Sequence, residues 1–553
     1  MSRDEIADII QQGESLTAEF KSDQKPLSDK DVLAAVVSLA NTEGGELLLG
    51  VEDDGTVTGL HPNHIDISGI SPLVANKTNP AVSVNVEKYT ISGKSVAHIH
   101  VPKSRQLIST SDGRLLRRRV KLNGTPEAVP FYAHEFIQRQ SSMGQIDPSA
   151  MILEDISHQQ LDSLQRLRLR NAIKKYGGEP SLLPLSDEEL DDALGLCREV
   201  NGSKRPTVTG VLLLGTENLL RQHIPAYEAA FQVLNGTDVR VNEFFRKPLL
   251  QTFEEIEVLF KARVEEEEIQ IGLFRVPVPN YDRRAFREAF VNALVHRDFS
   301  RLGAVHVTIS HDGLTISNPG GFVEGVNFNN LLVAAPRSRN PLLADVIKRI
   351  GLAERTGRGI DRIYEGMLRY GRPAPDYTMS DEFAVSVQML NTVADIEFLK
   401  MLVEQDKFEN MPIDSLIILS KLREERRLTT ADLTESVQKS EANVRAALEK
   451  LCETGFLEAH GTGRGRTYTL SAHLYQKTGQ QAEYIRQIGF NKIQQEQMVM
   501  RFIQKNKKIR RSDVIELCHL TPNQSTKLLM QLANKGKIYK HGNRKTAFYN
   551  FSA

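Results

Sequence analysis

Apolar residues recur at helical or strand spacing along almost the whole chain, and polar breaks divide the pattern into blocks. Spacings of four and three residues over 444–451 predict a helix, whereas alternation over 305–309 predicts a half-buried strand. Continuous apolar runs at 209–216 and 231–234 predict two buried strands. Helices and strands are mixed along the chain, which predicts an α+β protein.

The length of the chain predicts several domains. It has 553 residues, which at about 150 residues per domain gives three or four domains. Breaks in the apolar pattern delimit four segments: residues 1–140, residues 150–395 with linker helices at their start, residues 410–473 and residues 490–553. We therefore expect a multidomain protein.

The segment 410–473 contains three predicted helices followed by two strand-like stretches around a glycine- and arginine-rich turn. The second helix follows a capping box at Thr429, and the third begins at Ser440. This is the element order of a winged helix-turn-helix module. The same order recurs in 490–553, where Thr521 and the proline after it open the third helix.

In winged helix-turn-helix modules the third helix enters the major groove, and basic residues of the wing contact phosphates. The candidate nucleic-acid contacts are Arg464, Arg466, Asn523, Ser525, Lys527, Arg544 and Lys545. Winged helices also serve as protein-docking modules, so both roles stay open. Charge favours nucleic acid for the second module, because residues 471–553 contain 15 lysines and arginines against 4 acidic residues.

The whole chain is electrically balanced, with 70 basic and 70 acidic residues, and 40% of its residues are hydrophobic. This composition is typical of a globular protein and excludes a collagen or a largely disordered chain. The longest apolar runs are far shorter than the about 20 residues that a bilayer requires, so we expect no membrane span and no signal peptide. The three cysteines are far apart, which indicates a reducing compartment, and we expect the protein in the cytoplasm.

The middle of the chain has the most specific chemical pattern. Glu288 and Asn292 lie four residues apart on one face of a predicted amphipathic helix, so a carboxylate and an amide point to the same place. A carboxylate can activate water, and an amide oxygen can bind Mg²⁺ between phosphates. Two strands follow, the second of which ends in N-P-G-G at 318–321, and Gly357 and Gly359 precede a further helix. Backbone N–H groups at such a helix start can bind phosphate.

This order of elements resembles the ATP-binding fold of GHKL proteins, which include gyrase, a heat-shock chaperone family, histidine kinases and MutL. It is most similar to the divergent form found in bacterial multidomain proteins described as RecG-related or as transcriptional regulators. The resemblance implies a Bergerat α/β sandwich that binds ATP and Mg²⁺, with a possible weak ATPase activity and a lid drawn from residues 322–356. The implied roles are general base for Glu288, Mg²⁺ ligand for Asn292, adenine contacts for Asn318 and Gly320, phosphate contacts for Gly357 and Gly359, and further phosphate contacts in the lid for Arg337, Arg339 and Asn340.

The chain departs from the GHKL pattern at one position, because the usual adenine contact is an aspartate and this chain has Asn318. An amide oxygen can still accept a hydrogen bond from the adenine amino group. The resemblance therefore still implies nucleotide binding.

The chain has no P-loop. Residues 93–95 read G-K-S, but a P-loop requires glycine at the position of Lys88. The G-K-S stretch also lies between two alternating segments, 82–89 and 96–101, which predicts a hairpin turn. We therefore exclude a motor helicase.

The first 140 residues combine acidic residues with glycine turns. If the segment around Glu19 is a strand, Glu19 and Lys21 share one face, and Glu14 lies at its start. Asp53 falls in the turn after the next strand. Three carboxylates and a lysine brought together could bind Mg²⁺ or Mn²⁺ and activate water against a phosphodiester.

The pattern E-S-x-x-x-E-F-K that starts at Glu14, followed by N-T-E-G-G and G-V-x-D, resembles the AlbA-type domain of Schlafen proteins over this whole segment. In eukaryotic Schlafens this domain can be an endoribonuclease that acts on tRNA and rRNA. The resemblance implies Glu14, Glu19 and Asp53 as metal-binding catalytic residues, with Lys21 assisting. Asp54 competes with Asp53 for the third place. Because acidic residues beside glycine turns are also common on solvated surfaces, nucleic-acid binding without cleavage is an equal alternative.

The arginine-rich stretch that closes this segment provides Arg117, Arg118 and Arg119 as candidate contacts to a nucleic-acid backbone. Two functions follow from all these patterns. The first is an ATP-responsive regulator that binds DNA or RNA as a homo-oligomer, at least a dimer. The second is a metal-dependent nuclease on tRNA or DNA, controlled by ATP, in antiphage defence or a stress response. A purely structural protein explains neither Glu288 with Asn292 nor the basic wings.

Overall fold

A computed structural model describes residues 1–121, 125–271, 274–354, 357–404, 410–471, 492–518, 520, 522–542 and 547–551. The chain folds as two units, Met1–Asp147 and Pro148–Ala553, and each is described by itself. Helices and strands are mixed in both units, so the predicted α+β class is confirmed. Within the described ranges, no helix has the length and apolar character needed to cross a membrane.

The first unit consists of short helices and strands. Its helices are α1 (Arg3–Gln12), α2 (Asp29–Ala40), α3 (Ile70–Lys77) and α4 (Ala133–Ser142). Its strands are β1 (Ala18–Lys21), β2 (Gly45–Leu49), β3 (Thr78–Asn79), β4 (Asn85–Ile91), β5 (Lys94–Val101), β6 (Ser109–Thr110), β7 (Leu116–Val120) and β8 (Pro126–Pro130).

One sheet organises the first unit, with the strand order β1, β2, β5, β4. β1 and β2 are parallel, with Glu19 opposite Leu47, and the other neighbours are antiparallel. One face of the sheet packs against α2 through an apolar core that contains Val36, and the other face packs against α1 through Ile6 and Phe20. β7 and β8 form a separate antiparallel pair beside α2.

Two glycine turns shape this sheet. Gly45 opens β2 with a φ of +134°, and a β-carbon there would lie 2.0 Å from the carbonyl oxygen of Thr17. Only glycine permits this close approach of the chain before β1 to β2. Ser92 and Gly93 have positive φ between β4 and β5 and form the turn of the predicted hairpin, and Lys94 and Ser95 begin β5.

The second unit contains most of the helices. They are α5 (Ser163–Tyr176), α6 (Asp187–Ala193), α7 (Val208–Leu214), α8 (Glu217–His223), α9 (Leu249–Lys261), α10 (Arg283–His296), α11 (Pro341–Arg349), α12 (Gly359–Leu368), α13 (Ile396–Glu404), α14 (Ile413–Glu424), α15 (Thr430–Val437), α16 (Glu441–Glu453), α17 (Lys492–Asn506), α18 (Arg511–Cys518) and α19 (Pro522–Asn534). Its strands are β9 (Cys197–Val200), β10 (Ser203–Pro206), β11 (Ala229–Asn235), β12 (Asp238–Phe245), β13 (Glu266–Ile271), β14 (Phe274–Pro279), β15 (Val305–Ile309), β16 (Gly313–Pro319), β17 (Ala384–Leu390), β18 (Leu428–Thr429), β19 (Leu457–His460), β20 (Thr467–Leu470), β21 (Tyr539–His541) and β22 (Phe548–Asn550).

A five-stranded sheet with the order β12, β11, β15, β16, β17 lies at the centre of this unit. β11 and β15 are parallel, and the other neighbours are antiparallel. The apolar face of α10 is buried, and two residues of α9 stack on it: Phe253 on Phe290, and Phe260 on Phe286. This aromatic packing fixes α10, the helix that contains Glu288 and Asn292.

The prediction of a strand over 209–216 is wrong, because this segment forms the helix α7. Thr207 caps α7 by accepting a hydrogen bond from the N–H of Gly210 (3.1 Å). Every residue from Thr209 to Leu214 is buried, so the sequence shows neither a helical nor a strand period, and a short apolar run fits both. The strand predicted over 231–234 is confirmed within β11.

The first C-terminal segment, residues 410–471, contains α14, α15 and α16 and a three-stranded sheet with the order β18, β20, β19. Thr429 caps α15 and Ser440 caps α16, as predicted. Apolar residues such as Leu416 and Leu448 join the main hydrophobic core of the second unit. The first C-terminal segment is therefore packed as part of that core.

The second C-terminal segment, residues 492–551, contains α17, α18 and α19 and the antiparallel pair β21 and β22. Its buried residues, among them Val499, Leu528 and Tyr549, form a cluster of their own. The helix order in both C-terminal segments agrees with the predicted order.

Candidate functional site

A cavity of about 450 Å³ lies between α10, α11, α12 and the sheet strands β16 and β17, within the size range of pockets that bind small molecules. Its lining includes the predicted residues Glu288, Asn292, Asn318, Arg337, Gly357 and Gly359. Residues far apart in the sequence thus line one cavity.

Glu288 and Asn292 face the start of α12. A β-carbon built on Gly359 would lie 3.1 Å from Oε2 of Glu288 and 3.7 Å from Nδ2 of Asn292. Glycine therefore lets the first turn of α12 approach both polar side chains. The positive end of a helix dipole lies at this point, together with N–H groups that the helix itself does not use.

Glu288 is buried, with 1% of its surface exposed. Its Oε1 atom lies 3.3 Å from a guanidinium nitrogen of Arg362 and 3.6 Å from one of Arg287. Burial raises the pKa of the Glu288 carboxyl, and the two arginines act in the opposite direction. A carboxyl whose pKa lies above its ordinary value is a better proton acceptor for general-base chemistry.

Asn318 lies on β16 at the cavity wall and is almost fully buried. Its amide nitrogen donates to the carbonyl oxygen of Pro319 (3.2 Å). Gly321 lines the cavity next to it, whereas Gly320 does not. A β-carbon on Gly320 would lie 2.7 Å from the β-carbon of Asp298, so Gly320 is needed for packing behind the wall. The structure therefore differs from the predicted adenine contact at Gly320.

The arginines of the predicted lid have different places. Arg337 lines the cavity and donates to the carbonyl oxygen of Glu324 (3.0 Å). Arg339 is buried, donates to the carbonyl oxygen of Gly321 (2.8 Å), and has its pKa lowered by burial. Asn340 donates to two backbone carbonyls at the end of α10, each at 2.8 Å. Arg339 and Asn340 thus hold the cavity wall in this structure and are absent from its lining, unlike the predicted phosphate contacts.

Several polar residues of the cavity were not predicted from the sequence. Asp345 and Lys348 of α11 line it, as does His296 at the end of α10. Burial lowers the pKa of His296 to about 4, so its imidazole is neutral near pH 7. The D-x-x-K spacing on an amphipathic helix after N-P at 340–341 is the signal that could have identified Asp345 and Lys348.

In the first unit, Glu14 and Glu19 lie close to the same arginine. Glu19 is buried and forms ion pairs with Arg118 and with Lys21. Arg118 also donates to the carbonyl oxygens of Ser15 (2.7 Å) and Ala18 (3.2 Å). Burial lowers the pKa of Arg118, and the charge of Glu14 opposes this change. This arrangement joins the start of β1 to β7.

The third predicted carboxylate is not part of this cluster. Asp53 is exposed in the turn after β2, and Asp54 accepts a hydrogen bond from the N–H of Thr56 (2.8 Å). Because β1 and β2 are parallel, this turn lies beyond the opposite strand ends from Glu14. Neither aspartate comes within metal-bridging distance of Glu14 and Glu19 among the described residues.

A group of metal-ligand type does occur elsewhere in the described part of the chain, at His158, Asp191 and Cys197. Two of its three members already bind Arg166, whose guanidinium lies 2.8 Å from Asp191 and 3.0 Å from His158. Burial raises the pKa of the Cys197 thiol to about 12, so the sulfur is a neutral thiol. This group does not fit Mg²⁺, which prefers several oxygen ligands.

The three neighbouring arginines predicted to contact nucleic acid have different environments. Arg118 is 2% exposed, so its guanidinium is not accessible to a phosphate backbone in this structure, contrary to expectation. Arg117 pairs with Glu135, and Arg119 pairs with Glu127 at 2.8 Å with 48% of its side chain exposed. The alternation of a strand explains the difference, because Arg118 points inward from β7.

In the C-terminal segments, Asn523 and Lys527 are exposed on α19, as predicted. Ser525 is fully buried and shares the inner face of α19 with Leu528 and Leu532, so it is not available as a nucleic-acid contact. Arg466 lies over the ring of Tyr468 (5.4 Å to the centroid). The predicted contacts Arg544 and Lys545, and the side chain of Arg464, lie outside the described residues.

Family comparisons match both central patterns. Residues 14–124 match the family "Schlafen, AlbA_2", and residues 303–388 match the family "Putative ATP-dependent DNA helicase recG C-terminal". Residues 135–230 match a "Domain of unknown function (DUF8451)". The chain therefore contains a Schlafen AlbA_2 domain and a RecG-related, ATPase-like domain, as the motifs predicted, and these two domains indicate a function that is related to nucleic acids and ATP.

One solved structure has a similar fold over most of the chain. It is the crystal structure of the DIP2311 protein from Corynebacterium diphtheriae, which is 21% identical, with a TM-score of 0.51, and the match covers 86% of this chain and 98% of that one. No curated protein matches this chain.

Proposed function

We propose that this protein is an ATP-binding regulator that binds nucleic acid, in which a GHKL-like domain controls an AlbA-like module and two winged helix-turn-helix modules. The Schlafen AlbA_2 and ATPase-like matches support the two kinds of ligand. The three-helix order with short terminal strands in each C-terminal segment supports the winged-helix assignment.

The residues that line the cavity support a nucleotide site. Glu288 would act as general base, and Asn292 would hold Mg²⁺ against the phosphates. The start of α12 at Gly359 would bind phosphate, with Lys348 as an additional cation at the cavity. The side-chain oxygen of Asn318 is the acceptor that an adenine amino group requires.

The observation that carries the regulatory proposal is a contact between the lid and the first C-terminal segment. Gln438 follows α15, and its amide donates to the carbonyl oxygen of Phe328 (2.9 Å) and accepts from the N–H of Leu332 (3.0 Å). Leu331 and Arg337 of the same lid line the cavity. A nucleotide that moves these lining residues would therefore shift the first C-terminal segment through the hydrogen bonds of Gln438.

The backbone of Gln438 adds to this argument. It has a φ of +60°, in the left-handed region where helices usually end with glycine. A glutamine in this conformation is less favourable than a glycine, and the two hydrogen bonds of its side chain to the lid explain why a side chain is present. Alanine would bear the same backbone cost, so Gln438→Ala removes only the amide contacts.

The experiment compares wild type, Gln438→Ala and the control Glu435→Ala, which changes an exposed residue of α15. Affinity for a fluorescein-labelled random-sequence duplex is measured with and without ATP and Mg²⁺, and ATP affinity is measured by calorimetry. We expect ATP to change DNA affinity by about five-fold or more in wild type and in the control, and to have almost no effect in Gln438→Ala. ATP affinity stays within about two-fold in all three proteins. A DNA response to ATP that survives in Gln438→Ala would contradict the control mechanism.

We also propose that the protein acts as a homo-oligomer, at least a dimer, because paired winged helices suit a palindromic site. The nuclease is a second candidate. Glu14 and Glu19 lie beside Arg118 and Lys21 in a Schlafen AlbA_2 domain, so two of the three implied carboxylates lie at the start of the same strand.

A further inference from the structure

The two C-terminal segments meet through polar contacts at the start of α19. The side-chain amide of Gln524 donates to the carbonyl oxygens of Glu425 (2.7 Å) and Arg427 (3.4 Å), just before α15. The ammonium group of Lys527 lies 4.0 Å from a carboxylate oxygen of Asp432, in the first turn of α15. The start of α19 therefore contacts the turn and first residues of α15.

These contacts use the part of α19 that a nucleic acid would use. In a winged helix-turn-helix module, the first residues of the third helix reach the major groove. The inner face of α19 is occupied by its own core through Leu528 and Leu532. The outward residues Gln524 and Lys527 are the ones held by the first C-terminal segment. Backbone carbonyls and a carboxylate thus contact polar side chains at the end of α19 that winged helices present to DNA.

The contact between the two segments is polar and lies between two separate hydrophobic cores. Buried apolar residues of the first C-terminal segment belong to the main core of the second unit, whereas those of the second C-terminal segment form a separate cluster. The pair between Lys527 and Asp432 is solvent-exposed, with 63% and 40% of the two side chains accessible. Exposed ion pairs are weak and are screened by salt. A polyanion can therefore displace the contact without disrupting either core.

The charge of α16 fits a helix that packs against protein better than a helix that contacts DNA. Its exposed charged residues are Glu441, Arg445, Glu449, Lys450 and Glu453. Three acids against two bases give no net attraction to a phosphate backbone. The first C-terminal segment thus has a winged-helix order without the charge of a DNA-reading helix.

We infer that the first C-terminal segment is an internal docking site for the nucleic-acid-binding end of α19, and that duplex DNA competes with it for Gln524 and Lys527. This inference rests on the proposed nucleic-acid function of the second C-terminal segment. In the docked state the protein is autoinhibited, and DNA binding through α19 requires undocking.

The test reverses a charge on the docking side and leaves α19 unchanged. Asp432→Lys places a cation opposite Lys527. Glu435→Lys is the matched control, because it makes the same charge change at an exposed position of the same helix. Asp432 also accepts hydrogen bonds in the capping box of α15, so Asp432→Asn serves as a second variant that keeps an acceptor there. All variants are made in the full chain.

Two measurements are made on each protein. The first is affinity for a fluorescein-labelled random-sequence duplex. The second is the distance between spin labels at Glu449→Cys and Met530→Cys, two exposed positions on α16 and α19. Cys452 is replaced by serine, whereas Cys197 and Cys518 are buried. The distance reports docking whether or not any DNA binds.

We expect Asp432→Lys to shift or broaden the spin-label distance and to bind duplex at least about five-fold more tightly than Glu435→Lys. Asp432→Asn changes the spin-label distance and the duplex affinity in the same directions as Asp432→Lys, but by smaller amounts. Adding Lys527→Asp to Asp432→Lys restores the wild-type distance. An unchanged distance in Asp432→Lys, or equal DNA affinities of the two lysine variants, would overturn the inference. If the distance responds as expected but no protein binds duplex, docking is supported and the proposed nucleic-acid function of α19 is the part that fails.

Discussion

The ion pair between Arg118 and Glu19 makes a sharp prediction, because the adjacent Arg119 is a natural control. Arg118 and Glu19 are buried on the inner side of β7 and β1. Methionine retains most of the apolar stem of Arg118 but removes the charge and the hydrogen bonds to Ser15 and Ala18. Arg118→Met would leave the Glu19 carboxylate buried and without its arginine.

Breaking one side of a buried ion pair typically costs about 3–5 kcal/mol, a large share of the about 5–15 kcal/mol that stabilises a domain. For a unit of this size, such a loss lowers the melting temperature by about 6–20 °C. Arg119→Met removes only an exposed contact with Glu127, and we expect no measurable change. Calorimetry of the full chain, with hydrogen exchange of β1 and β7 to assign the transition, measures both variants.

Adding Glu19→Leu removes the buried carboxylate that has lost its arginine partner, and we expect it to recover part of the stability. Equal stabilities of Arg118→Met and Arg119→Met would refute the assignment of Arg118 to a buried structural pair.

Two further predictions concern the candidate sites. Gly359→Ala places a methyl group 3.1 Å from Oε2 of Glu288, and we expect ATP affinity to fall at least about ten-fold with little change in melting temperature. The control is Gly465→Ala, whose added β-carbon would have no atom within 4 Å. Equal ATP affinities of the two variants in a calorimetric titration would contradict this prediction. For the first unit, we expect end-labelled tRNA, single-stranded DNA and duplex DNA to stay intact in Mg²⁺ or Mn²⁺, with or without ATP, because Asp53 is not brought to Glu14 and Glu19. Gel analysis that finds cleavage by wild type and none by Glu19→Gln would instead establish the nuclease.

Local and short-range patterns were readable from the sequence. The spacing of Glu288 and Asn292 on one helix, the glycines at the start of α12 and the capping residues Thr429 and Ser440 all depend on residues within a few positions of one another. The structure has the spacing and both caps as predicted, and it places Gly359 as the first residue of α12. The motifs of both matched families are of this kind as well. Helical and strand periods survive in sequence wherever one face is buried and the other is exposed.

Only the tertiary structure decided what each of these residues contacts. The sequence presents Arg117, Arg118 and Arg119 as one basic run, but the alternation of β7 buries Arg118 against Glu19. The run 209–216 has no polar period because its residues from Thr209 to Leu214 are buried on every side of the helix, and Thr207 caps this helix.

The contacts of Gln438 with the lid and of Gln524 with the turn before α15 join residues about a hundred positions apart. No local pattern encodes such pairs, because they depend on how whole elements pack. The sequence alone thus determined the elements and the classes of ligand, whereas packing determined which polar groups are buried as pairs and which remain to meet a ligand.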